Sequence, residues 1–402
     1  MMALLGGVAL AAYVTDVGEP VDLDLPGRHG RPFVTEDGAR WLGFGRSGSF
    51  HVVELDAGGE ADLDSFRTVV RGDGEFIDHS FVPCAGGGFL HVASGNRVTT
   101  DDTAWVSFVG RDLTWRGTEL LVDSNPLYTT NDMPALCSAA VWATGFATEG
   151  DMASGTPGSN ELFAFGPELF GGAGEVVTVA LPSASRMTGT SLVWREDTRQ
   201  VLALGLRPPQ TLRVVALDED LVIASRADRQ LDLGDLDAYW AQSTAVVEGS
   251  MLIAHMVRRS SDGFAQDTGD VALTVVGPEL QVLETLVLTG FTPPNGAMRP
   301  ALMVDGDVVT VSFDVGGALH TLQARVDRAA LAELPVTEGD AAVAARSPAG
   351  APGEAPEGVA SVHDDPDGEA GDGVGCALVP PAGSLPAIAF PLLLVGFRRS
   401  TS

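Results

Sequence analysis

RPFVTEDGARWLGFGRSGSFHVVEL, residues 31–55, packs three short apolar runs between turns. RPFVTE starts at Arg31, RWLGFGR occupies Arg40–Arg46 and SFHVVEL occupies Ser49–Leu55. A weaker fourth run, FRTVV, starts at Phe66. The runs are rich in β-branched and aromatic residues and are bounded by Gly, Pro and Asp. That is the pattern of short strands joined by hairpins. A unit of this size cannot bury its own faces, so it needs copies of itself to stack on.

The copies are present. The first run returns as HSFVPC from His79, MPALCS from Met133, TSLVW from Thr190, STAVV from Ser243 and PALMV from Pro300, at spacings of 48, 54, 57, 53 and 57 residues. Second runs follow as FLHVASG, VWATGFA, QVLALGL, MLIAHMV and DVVTVSF. Third runs follow as TAWVSFV, ELFAFGP, TLRVVAL, DVALTVV and ALHTLQA. Several third runs end in a polar turn and a leucine: GRDL at Gly110, GPEL at Gly166, DEDL at Asp218 and GPEL at Gly277. Fourth runs appear as TELLV from Thr118, EVVTV from Glu175 and LETLVL from Leu283.

Four strands per unit at this period describe a propeller blade, and six units predict an all-β, six-bladed β-propeller over residues 13–335. A β-sandwich or two small β-domains is the competing arrangement. Only residues 327–334 read as helix. The last unit lacks a fourth run, and EPVDLDL at 19–25 precedes the first unit as a fourth strand would. This N-terminal strand is expected to close the last blade, because an open ring would leave an unpaired edge.

The ends read as addresses. Residues 3–12, ALLGGVALAA, are an apolar run with small residues at Ala9, Ala11 and Ala12, so residues 1–12 are an expected signal peptide. Residues 336–375 are rich in Ala, Pro, Gly and acid and cannot bury enough surface to fold, which predicts a disordered acidic stalk. Residues 377–397 are uncharged and mostly apolar, with Pro380, Pro381, Pro386 and Pro391 opposing a stable helix.

Gly375-Cys376, this apolar segment and the pair Arg398-Arg399 resemble the C-terminal sorting signals of myxobacterial surface proteins. The resemblance covers residues 376–402. It implies that Cys376 is the processing residue and that Arg398 and Arg399 are the stop signal of a surface protein. Membrane contact is then expected through the tail alone.

The 402 residues carry a net charge of −30, which removes nucleic acid as a partner. The stalk holds nine acidic residues against Arg346, so the folded part is less extreme than the whole. Cys84 and Cys137 lie one repeat apart on neighbouring inner strands. They are either bridged or free thiols packed between blades; the usual distance between equivalent positions in adjacent blades favours free thiols.

Motifs for a nucleophile elbow, a P-loop or a zinc site are absent, and no cofactor or metal is expected. Propeller geometry is the better guide. Loops leading into the inner strands open on one face of the central channel, where Arg31, Asp78, His79, Asp132, Thr188, Gln242 and Arg299 should converge. Asp78, His79 and Asp132 could serve as general acid and base. Arg31, Gln242 and Arg299 could bind a ligand, the arginines by gripping an anionic group. Trp115, Tyr239 and Trp240, read as loop aromatics, could stack on sugar. The competing reading makes these ordinary solvated loop residues. His51, His91, His255 and His320 fall inside strands and are expected to be structural. The expected protein is a monomeric, secreted or cell-surface binding or structural module for an extracellular glycan, peptide or protein. The alternative is a secreted polysaccharide-directed hydrolase or lyase working at the channel mouth.

Overall fold

The computed structural model describes residues 12–334 apart from 47, 72–74, 97–101, 123–127, 130–133, 149, 152–155, 158–159, 182–187, 208–210, 235, 260–268 and 291–296. They form a six-bladed β-propeller of antiparallel, four-stranded blades. From the inside out, blade 1 is Arg28–Val34, Arg40–Arg46, Ser49–Leu55 and Ala61–Arg71. Blade 2 is Glu75–Pro83, Phe89–Asn96, Asp102–Val109 and Trp115–Val122. Blade 3 is Ala135–Cys137, Trp142–Thr148, Asn160–Phe165 and Val177–Leu181, with Tyr128–Thr129 also pairing along its second strand. Blade 4 is Thr188–Arg195, Gln200–Arg207, Thr211–Leu217 and Ile223–Gln230. Blade 5 is Leu236–Val247, Ser250–Arg259, Asp270–Val276 and Val282–Val287. Blade 6 is Ala297–Asp305, Val308–Val315 and Ala318–Val326.

The middle strands read as continuous apolar runs because both their faces are buried. In blade 4, Val201 and Ala203 pack toward blade 3 while Leu202 and Leu204 pack toward blade 5. The apolar core of the described residues divides accordingly into six clusters, each between two neighbouring blades. Each fully buried Leu or Val in them contributes about 1.5–3 kcal/mol.

The outer edge of blade 6 comes from the other end of the chain. Val21–Pro26 pairs antiparallel with Ala318–Val326, with Val21 opposite Thr321 and Asp22 opposite His320. Val14 and Thr15 extend the same edge opposite Val326 and Arg325. Leu23 and Leu25 then enter the core between blades 6 and 1. The helix Arg328–Ala332 comes next, capped by the Asp327 carboxylate accepting the Ala330 N–H, and it buries Leu331.

The recurring turn leucine has a backbone cause. Leu113, Leu221 and Leu280 sit in the left-handed region, at φ of 58°, 60° and 62°. Each donates its N–H to the carbonyl three residues earlier, on Gly110, Asp218 and Gly277. Glycine usually takes this hairpin position. A left-handed leucine costs about 1–2 kcal/mol, which burial of its side chain against the neighbouring blade offsets. Leu113 and Leu221 are buried, and Leu280 packs against the core between blades 4 and 5. In blade 3 the equivalent GPEL becomes the 3-10 turn Pro167–Gly171 and buries Leu169.

One strand appears that no apolar run had marked, and one expectation changes. Blade 4 has a full fourth strand, Ile223–Gln230, whose sequence IASRADRQ hides it behind charge. The cysteines are bridged rather than free: Cys84 and Cys137 form a disulfide with their Cα atoms 4.6 Å apart. Inner strands converge on the channel, and here the two backbones touch directly, the Ala85 N–H donating to the Cys137 carbonyl at 3.1 Å. The bridge ties blade 2 to blade 3. Replacing it by Cys84→Ala with Cys137→Ala is expected to cost about 2–4 kcal/mol in urea unfolding. Equal stability of the two proteins would contradict a stapling role.

Candidate functional site

The inner strands of all six blades enclose a cavity of about 350 Å³ on the propeller axis. Its wall takes residues 31–34, 80–83, 134–135, 191–192, 243–246 and 301–304, one segment per blade. Most are Pro, Phe or aliphatic. The polar members are Arg31, Ser80, Ser191, Ser243 and Thr244. Ser191 donates to the Thr244 hydroxyl at 3.0 Å, joining blades 4 and 5. The Ser243 hydroxyl accepts the Leu302 N–H at 3.2 Å, joining blades 5 and 6.

Arg31 is 9% exposed. Its Nε and Nη2 donate to the His79 carbonyl at 3.1 and 3.0 Å, so the guanidinium clamps blade 1 to blade 2 while lining the cavity. Arg195 does the same further out, donating from Nη1 to the Pro278 carbonyl across the interface of blades 4 and 5.

A shared backbone device sets the side chains near the axis. The inner strand is irregular between Arg28 and Arg31, Phe76 and Asp78, Thr188 and Ser191, Tyr239 and Gln242, and Met298 and Ala301. Such bulges turn side chains away from the regular alternation. His29 and Arg299 occupy two of them with left-handed φ of 54° and 52°.

The bulges govern where the candidate residues go. The His79 ring is 1% exposed and lies between blades 1 and 2, 5.3 Å from the His29 ring and 5.7 Å from the His91 ring. It rests on Gly45, where a Cβ would stand 2.8 Å from its Cε1. Burial holds its pKa well below the ordinary histidine value, and His29, His91 and Arg31 push the same way. Burial takes His91 down to about 3. His255 is lowered to about 4 for the same reason, with Nε2 2.7 Å from the Thr274 hydroxyl. Arg299 faces Asp314 instead of the cavity, at 3.1 Å from Nη1 to Oδ2. Burial raises the Asp314 pKa, and Arg299 and His29 oppose that.

Asp78 pairs with Ser94, and Gln242 with His255, through the strand backbone; their side chains lie outside the described residues. The Thr188 side chain, Asp132, Cys376, Arg398 and Arg399 also lie outside them. The aromatics are not in loops. Trp115 opens the outer strand of blade 2, half exposed, with Nε1 donating to the Thr118 hydroxyl at 3.0 Å. Tyr239 and Trp240 belong to the long inner strand Leu236–Val247, at its irregular point. Among the described residues, no cluster of His, Cys, Asp or Glu could hold a metal ion.

Sequence reading missed His29, Asp314 and the cavity hydroxyls. The hydroxyls had left a signal: HSFV, TSLV and STAV put Ser80, Ser191 and Ser243 at nearly the same repeat position.

No protein-family model and no curated protein sequence matches this chain. Solved structures share its fold. A Trypanosoma rangeli sialidase in complex with the inhibitor DANA matches at 10% identity and a TM-score of 0.50, over 76% of this chain and 56% of that one. The match therefore spans little more than half the sialidase's length. A neuraminidase-like protein of A/little yellow-shouldered bat/Guatemala matches at 11% identity and a TM-score of 0.47, over 76% of this chain and 97% of that one. An N-acetylgalactosamine deacetylase from F. plautii in complex with blood group B trisaccharide matches at 10% and 0.44, over 80% and 98%. The likeness to the sialidase is one of fold.

The buried imidazoles give stability a pH dependence. In the unfolded chain they take up protons near pH 6.5, whereas His91 and His255 in the fold do so near 3 and 4. Between those limits the unfolded state binds more protons, so stability is full above about 6.5 and falls as pH drops through this window. Urea midpoints at pH 7 and 4.5 measure the loss, and His91→Gln should flatten it. An unchanged slope in that variant would count against His91 as a source.

Proposed function

We propose that this protein is a secreted or cell-surface binding module that takes an extracellular ligand, a glycan, peptide or protein, at its central channel. One observation carries the reading. Among the described residues Arg31 is the single ionisable side chain in the cavity wall, beside hydroxyls and apolar surface. Its described residues supply donors and shape for recognition, with no carboxylate or imidazole for proton transfer among them. A guanidinium suits a carboxylate or other anionic group on the ligand.

The address is part of the proposal. Residues 1–12 are the leader, 13–335 the propeller, 336–375 a stalk and 376–402 the sorting segment, with Cys376 processed and Arg398-Arg399 as its stop. A Cys84–Cys137 disulfide fits an oxidising compartment. The protein works as a monomer without a cofactor and meets the membrane only through its tail.

Two experiments test this. Fractionation of the native host should find the propeller at the envelope or in the medium, lacking residues after the stalk; an intact cytoplasmic chain would refute the address. A panel of glycans and peptides should yield a ligand whose affinity drops at least tenfold in Arg31→Ala, with thermal unfolding checking that the variant is folded; a loss this size is about 1.4 kcal/mol. Unchanged affinity would remove the channel as the site. Release of cleaved product from the panel would shift the reading to a polysaccharide-directed hydrolase or lyase.

A further inference from the structure

The point where the ring closes holds an unusual carboxylate. Glu284, on the outer strand Val282–Val287 of blade 5, accepts the main-chain N–H groups of Tyr13 and Val14 on one oxygen, at 2.8 and 3.1 Å. The contact is partly buried, and Glu284 has no ion pair with any described residue. The Tyr13 carbonyl in turn accepts the Asp327 N–H at 2.9 Å, and Val14 is buried in the core between blades 5 and 6. Tyr13 is therefore held on both sides of its main chain, next to a carboxylate with no ion-pair partner among the described residues. The small residues Ala9, Ala11 and Ala12 close the apolar run just before Tyr13, and their spacing leaves the bonds after Ala11 and after Ala12 as the two candidate cuts.

We propose that the chain is cut between Ala12 and Tyr13 and that Glu284 captures the new terminus as an ion pair. A leader peptidase hydrolyses the peptide bond; one water is consumed, Ala12 leaves with a carboxylate and Tyr13 keeps the amine. The amine takes up a proton at neutral pH, since α-amino groups titrate near 7.7–8.0. The resulting ammonium replaces a neutral N–H at the same oxygen. Only a cut after Ala12 puts the charge on Tyr13; a cut after Ala11 leaves a neutral N–H facing Glu284. The captured terminus links blade 5 to the strand that completes blade 6.

This rests on the export reading, and the test separates the two. The full chain is expressed in an exporting host, recovered from medium or envelope, and its N-terminus read by sequencing and intact mass. Tyr13 as first residue is expected. An exported chain that starts elsewhere overturns this proposal and the 1–12 bound of the leader but leaves export standing, while a chain retained in the cytoplasm with its leader overturns export as well. The second arm compares Tm of the exported protein with that of Glu284→Gln from pH 6 to 10, and repeats the pair with Gly-Ser inserted between Ala12 and Tyr13. Pairing raises the amine's pKa in the fold, so its stabilisation is full below about 8 and lost as pH rises toward 10. The Tm gap between parent and Glu284→Gln should close over that range in the Tyr13 form and stay level in the extended form. The same pH dependence in both forms would overturn the ion pair.

Discussion

Every blade of this protein has two apolar faces, and neither can be left in water. That constraint sets the rest of the structure. A single face, as on Leu202 and Leu204, is covered only when the next blade is present. Six blades cover one another only if the last meets the first, as Leu23, Leu25 and Leu319 meet Leu42, Phe44 and Val53. Hydrogen bonding obeys the same logic, since the outer edge of blade 6 is paired by residues from the other end of the chain. The ring is thus held by packing between neighbours, with Arg31, Arg195 and the Cys84–Cys137 bridge adding polar and covalent ties across particular interfaces.

Much of this is written plainly in the sequence. RWLGFGR, SFHVVEL, TLRVVAL and DVALTVV match observed strands residue for residue, because burial on both faces keeps each run predominantly apolar. Outer strands are solvated on one side and blur into turns; IASRADRQ in blade 4 is legible only once its partner TLRVVAL is known. The disulfide depended on how close two inner strands come at one place on the axis. Repeat spacing cannot give that distance.

The positions of the candidate residues near the axis were legible, and the directions of those described follow from the bulges. Arg31, His79 and Arg299 all sit near the inner-strand bulges. Arg31 lines the cavity while gripping a carbonyl of blade 2, whereas His79 turns into the interface of blades 1 and 2 and Arg299 turns to Asp314. A bulge adds one residue to a strand and reverses the facing of the residues beyond it, so alternation counted from sequence fails where the channel begins. The hydroxyls at Ser80, Ser191 and Ser243 lie past the bulges, on regular strand, and keep their repeat register.

The pairing of Val21 with Thr321 also sets a timetable. The two residues are 300 positions apart. At synthesis rates of about 5–20 residues per second, the first strand waits roughly 15–60 s for its partner to be made. Blades 1 to 5 can stack in order as they emerge, but the first and last faces stay uncovered through that interval. The nascent chain therefore passes through a stage with an open apolar seam and a loose strand of matching register. A second copy at the same stage could supply the missing strand, so crowded synthesis favours exchange between chains.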